Sequence, residues 1–302
     1  MSIMAQNLKE ILTADLFHFM VDCRIPFSKT EPLDFVKVGE NFMSDDYGPK
    51  FVERVWPILK TLSRIGLDNM PDMMDFLPPP TDPDFALQCL GLQLVLDQAP
   101  RALCSSESTD GRYISAYFDP ISRRLVDSWF ALPAHLRPDS WANRKDTMSL
   151  DYWILLRLWL GAPIVHNGTV PSQERALAFE EETRMVVEQM TGERDPNRAI
   201  RDTILSDIYA FPRMLRAGPP SGEGVTVTTW SWWMLKVMDV HKPIIDRFGR
   251  YPYWNAIQGL DSTDEELEWI QRTDHFGEAP PDVAKKVRED IAHGRWTPLG
   301  GS

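Results

Sequence analysis

Cysteine is scarce in this chain: Cys23, Cys89 and Cys104 are the only three in 302 residues. They show no paired spacing, which excludes a disulfide framework or a zinc cluster and points to a reducing, cytoplasmic setting. Basic charge is also in short supply. With 32 Lys and Arg against 44 Asp and Glu the formal net charge is −12, so the chain is not built to coat nucleic acid or an anionic membrane, binding that Lys and Arg on phosphates dominate. No stable DNA partner is expected, and any RNA partner has to be gripped by local patches such as Arg123-Arg124, Arg144-Lys145 and Lys285-Lys286-Arg288. A long apolar run is missing too. The longest, YWILLRLWLGAPIV, is interrupted by Arg157 and Pro163 and is too short for a bilayer. The opening MSIMAQNLKEILTADLF has no basic segment leading into an apolar one, so no secretory signal is expected. The sequon at Asn167–Thr169 has no meaning in a cytosolic chain. G-x-S-x-G, H-E-x-x-H, Walker and G-x-G-x-x-G patterns are all absent, which leaves a standard hydrolase, kinase or dehydrogenase without support.

What is present is material for a core: 43% hydrophobic residues and eleven Trp. Apolar residues recur at spacings of three and four, and only VTVTTW, residues 225–230, reads as a strand. The fold expected is all-α, a bundle of about ten helices. The spacing predicts them near residues 5–20, 48–65, 83–98, 111–131, 148–160, 172–190, 196–214, 229–248, 263–274 and 281–293. Two proline-rich stretches, residues 71–84 and 217–224, are expected as surface loops. The chain reads as one domain, 1–302: helices over 1–70 packed on a core at 84–277, then a helix and tail over 278–302.

Three constellations are candidates for chemistry. The first is acidic. Ser262 with Glu265 three residues later has the pattern of a capping box, and acids suit the first turn of a helix. Glu268 is not explained that way. Helical spacing puts Asp264, Glu265 and Glu268 on one face and turns Glu266 elsewhere; a plain helix start with solvated acids is one reading, and a cation that offsets the repulsion is the other. Arg247, Arg250 or Arg272 from within the chain, a ligand ammonium or guanidinium, and Mg²⁺ all remain open. The second is LDQAPR, where Asp97 and Arg101 form an i,i+4 pair. The third is HKPIIDRFGRYPYWN, in which His241 and Arg247 precede a Gly249 suited to a left-handed cap, and Tyr251, Tyr253 and Trp254 follow. Such residues either stack on and clamp a nucleotide or an aromatic group, or close a helical core. His166 stands without a Ser or Cys at a recognisable spacing.

Three segments of the sequence, LVLDQAPR (94–101), APIVHNGTVPSQER (162–175) and HKPIIDRFGRYPYWNAIQGLDSTDEELEW (241–269), resemble the motifs of a widespread helical domain family of unknown function, similar to tetratricopeptide repeats. The resemblance runs over residues 84–277. Asn167-Gly168 replaces the Ser-Glu that follows the histidine in that family. The acidic DEELE makes the chain similar to a fungal branch, the arginine-containing cyclodipeptide synthases, whose D-D-x-x-E motif is matched here by Asp264, Glu265 and Glu268, with Glu in second place. The resemblance implies antiparallel helix pairs and an enzyme that takes arginyl-tRNA and a second aminoacyl-tRNA and forms a cyclo-Arg-Xaa diketopiperazine. No cofactor or metal is implied, because the esters are already activated. It implies Asp264, Glu265 and Glu268 as catalytic or arginine-recognising groups, and Asp97, Arg101, His166, His241, Arg247, Arg250, Tyr251 and Asn255 as substrate-binding. The alternatives are a non-catalytic helical scaffold for peptides or proteins and a Mg²⁺-dependent diphosphate enzyme.

Overall fold

The two most apolar stretches of the sequence become central helices, one in each of two units. In the computed structural model, which describes residues 3–44 and 46–301, the first unit is Met1–Arg24, Asp45–Pro138 and Pro252–Ser302, and the second is Ile25–Ser44 and Asp139–Tyr251. Every regular element among the described residues is helical. None of these helices is long and apolar enough to cross a membrane.

The centre of the first unit is the helix Phe85–Leu96, apolar all round, with only Gln88 not buried. It packs on Ala14–Arg24. At Gly91 the two backbones touch: a Cβ there would fall 2.2 Å from the Phe17 carbonyl oxygen and 2.5 Å from its Cα. A helix-interior glycine weakens the helix itself, so this approach is the reason for it. Gly91→Ala is expected to cost about 1–3 kcal/mol, since backbone cannot step aside as a flexible side chain can. A urea unfolding midpoint unchanged from wild type would contradict it.

The second unit is built round Leu150–His166, buried from Tyr152 through Val165. Its one internal charge, Arg157, is fully engaged. Nε donates to Thr183 Oγ1, Nη1 to Asp139 Oδ2, and Nη2 to the Phe179 carbonyl and Glu182. This helix runs on through Pro163, past the end at 160 that the sequence predicts. Proline removes the donor that would serve the Trp159 carbonyl; at the end of the helix the carbonyls of Ile164 and Val165 are taken by Ser172 Oγ at 2.7 Å and Gln173 Nε2 at 2.9 Å.

Elsewhere the predicted rods divide into shorter pieces at polar caps. The helix expected at 5–20 breaks into Ile3–Ile11 and Ala14–Arg24, with the Thr13 hydroxyl accepting from Leu16 N. That expected at 229–248 breaks into Val227–Asp239 and Lys242–Phe248, the second with Pro243 in its first turn. Phe35–Met43, not foreseen, is started by Asp34, whose carboxylate accepts from Val36 N and Lys37 N. The strand expected at 225–230 is not formed. Thr226 and Thr229 make a reciprocal capping box there, and hydroxyl capping outweighs the β-propensity of the Val-Thr alternation.

Candidate functional site

The acidic helix is Asp264–Arg272, in the first unit. Its capping box lies one residue later than the sequence suggests. Thr263, not Ser262, is the N-cap: its hydroxyl accepts from Glu266 N at 3.2 Å, and Glu266 Oε2 accepts from Thr263 N at 2.8 Å. Glu265 is therefore not the capping acid. Glu266 takes that role and is buried, together with Trp269 and Ile270. Asp264, Glu265 and Glu268 are exposed. Glu268 lies 3.6 Å from Arg272, a solvated i,i+4 pair of small energetic weight.

The segment leading into this helix sets its position. Tyr253 is buried, stacked on Trp269 at 6.1 Å between ring centroids and edge-on to Phe276 at 5.4 Å. Burial pushes its phenol well above the usual range. This tyrosine therefore closes a core and anchors the acidic helix through Trp269. Asn255, 1% exposed, donates from Nδ2 to Ser262 Oγ at 3.0 Å, which ties down the turn just before the cap.

Arg101 holds the same segment from another side. Its guanidinium lies over the Trp254 ring at 5.8 Å. Nη1 donates to Asp97 Oδ1 (3.1 Å) and to Asp119 Oδ1 (2.8 Å), and Nη2 to Asp119 Oδ2 (3.0 Å). Burial opposes the charge, but Asp119 and then Asp97 more than offset it and raise the Arg101 pKa. The i,i+4 pair read from the sequence is thus present, and Asp119 completes it as a two-pronged clamp. No local spacing in the sequence could have revealed Asp119.

The second unit collects the other motif residues. His241, Tyr251 and His166 are neighbours: the His241 ring centroid lies 6.0 Å from that of Tyr251 and 6.5 Å from that of His166. His241 is buried against Phe211, with centroids 4.0 Å apart. Its Nδ1 is 2.9 Å from the Val237 carbonyl oxygen and 3.2 Å from that of Met238. Carbonyl oxygens only accept, so Nδ1 carries the hydrogen and Nε2 is the basic atom of the neutral ring. The Tyr251 hydroxyl donates to the Val165 carbonyl and accepts from Gln173 Nε2. Gln173 also donates to the Asn167 carbonyl at 3.0 Å, holding the turn beside His166. The sequence reading left Gln173 out of the site, although it lies inside the quoted PSQER. Arg247 is exposed and Arg250 half-buried. Among the described residues, no three His, Cys, Asp or Glu are grouped to hold a metal ion.

These observations define the class: an all-helical chain whose motif residues gather in one polar and aromatic cluster within each unit. The family described as "Bacterial protein of unknown function (DUF924)" matches residues 80–274, well over half of the sequence, and the chain belongs to it. No curated protein and no solved structure matches the chain.

Proposed function

We propose that this protein is an aminoacyl-tRNA-dependent cyclodipeptide synthase of the fungal arginine-containing type, joining arginine from arginyl-tRNA to a second amino acid. The observation that carries the reading is the exposed face of Asp264, Glu265 and Glu268. Three carboxylates on one helical face favour a planar cation with several donors, and a guanidinium is such a group. Glu266 does the capping, so the three exposed acids are not needed for the cap. A cytoplasmic location fits the charged tRNAs such an enzyme consumes.

The chemistry needs a base. An aminoacyl α-ammonium must lose a proton before its amine attacks the other ester. The C–N bond then forms as the C–O bond to the ribose breaks, and the ribose oxygen takes up a proton. A second round with the roles exchanged closes the ring. One of the clustered acids Asp264, Glu265 and Glu268 suits the proton-accepting role, and Arg101, with Asp97 and Asp119, acts by positioning the segment that leads to the acids.

The reading is tested by expressing the chain in a host with ordinary charged tRNAs and searching extracts by mass spectrometry. A cyclo-Arg-Xaa product, formed in vitro only while RNA is intact, is the expected result. Well-folded protein that yields none would overturn the synthase reading and leave the non-catalytic scaffold in its place.

A further inference from the structure

Glu180, in the middle of the helix Val170–Thr191, is 1% exposed, and its two carboxyl oxygens accept no hydrogen bond. Its neighbour across the helix pair is Asp239, at the end of Val227–Asp239 and equally buried. The donors nearby are already committed. Arg184 gives Nε to Asp195 (2.6 Å), Nη2 to Asp239 Oδ2 (3.0 Å) and Nη1 to Glu181 (3.2 Å). Arg201 gives Nη2 to Asp239 Oδ1 (3.1 Å) and Nη1 to Glu181 (3.0 Å).

The charge balance is informative. Arg184 and Arg201 are already matched by the buried carboxylates Asp195 and Asp239 and also serve the partly exposed Glu181, so no positive charge is left over for Glu180. An ionised Glu180 would be a third negative charge out of reach of water, with no donor to stabilise it. A protonated one needs no counter-charge and has a hydrogen to give. Each Asp239 oxygen accepts from one guanidinium and keeps a further lone pair.

We propose that Glu180 is held as a neutral carboxylic acid donating its hydrogen to Asp239, so that one proton is a structural part of the second unit and the unit loosens as pH rises. Burial, and after it the charge of Asp239, push the Glu180 carboxyl well above its ordinary range, against the pull of Arg184 and Arg201. Lys236, on the helix of Asp239, is half-buried and not among the charges that act most on Glu180, and the charges of the other described helices packed on this one are engaged. Arg157 is bound by Asp139 and Glu182, Lys242 and Asp246 bind each other, and His241 points Nδ1 at backbone carbonyls.

The sign follows from linkage. An unfolded glutamate titrates near about 4.3. Below that pH both states hold the proton and the stabilisation is complete. Above it the unfolded chain has released its proton while the folded chain keeps it, so stability falls with rising pH until the folded carboxyl itself ionises. Glu180→Gln keeps the shape and a donor but cannot titrate.

The test is denaturant unfolding of the full chain, wild type and Glu180→Gln, from mildly acidic to mildly alkaline pH. The wild-type unfolding constant should rise relative to that of Glu180→Gln by up to about tenfold per pH unit, starting about one unit above the unfolded pKa. A ratio that stays constant with pH overturns the proposal. If Glu180→Gln does not fold, wild-type protein ¹³C-labelled at glutamate carboxyls decides it by NMR: one glutamate should titrate far above the others. Titration of all of them together overturns it.

Discussion

Arg184→Ala is expected to cost about 3–5 kcal/mol of stability at neutral pH, the usual result of removing one partner from a buried ion pair. Arg184 is 1% exposed and serves Asp195 and Asp239, each about as buried. Without it both carboxylates stay in a site that water does not reach, and Arg201 alone still reaches Asp239. The deficit should shrink as pH falls and the stranded carboxylates take up protons. Thermal or urea unfolding of the variant at neutral and acidic pH checks both statements. An equal loss at the two values would show that packing, not charge, is what Arg184 supplies. Arg198, which pairs with Glu181 and Glu188, is partly exposed and should cost far less when replaced.

The second large effect is on function, not on fold. If the chain is the synthase proposed, the triple variant Asp264→Asn, Glu265→Gln, Glu268→Gln should lower incorporation of arginine by about 10- to 100-fold or more, the loss of one or two charge-assisted hydrogen bonds of about 1.5–3 kcal/mol each. All three side chains are exposed, and none makes the cap. Unfolding should therefore stay within about 0.5 kcal/mol of wild type. Competition between arginyl-tRNA and free arginine derivatives, measured on both proteins, checks it. Unchanged arginine incorporation by the variant would remove these acids from the site.

The helical class was legible because it rests on local periodicity, and the helices expected at 83–98 and 148–160 form at 85–96 and 150–166. The ends of helices were less legible. Thr226 and Thr263 are caps because their hydroxyls meet particular backbone donors, and several serines and threonines nearby offered the same pattern in sequence. Pro163 reads as a stop, yet the helix continues to His166, where Ser172 and Gln173 on the next helix take up its last carbonyls.

The candidate site divides along the same line. That Asp264, Glu265 and Glu268 share a face follows from helical spacing, and that Glu268 lies outside the cap follows from its position. Which acid does the capping was decided by one residue of register, and Glu266 took it. The partners of Arg101 and Arg184 come from residues 18 and 55 positions away, and no local pattern reports such distances. Amino-acid order set charge, periodicity and the motif residues, because those are properties of neighbours in the chain. Burial, the lack of a donor for the Glu180 carboxyl and the tautomer of His241 were decided only when distant segments packed, because desolvation and hydrogen-bond supply depend on neighbours in space.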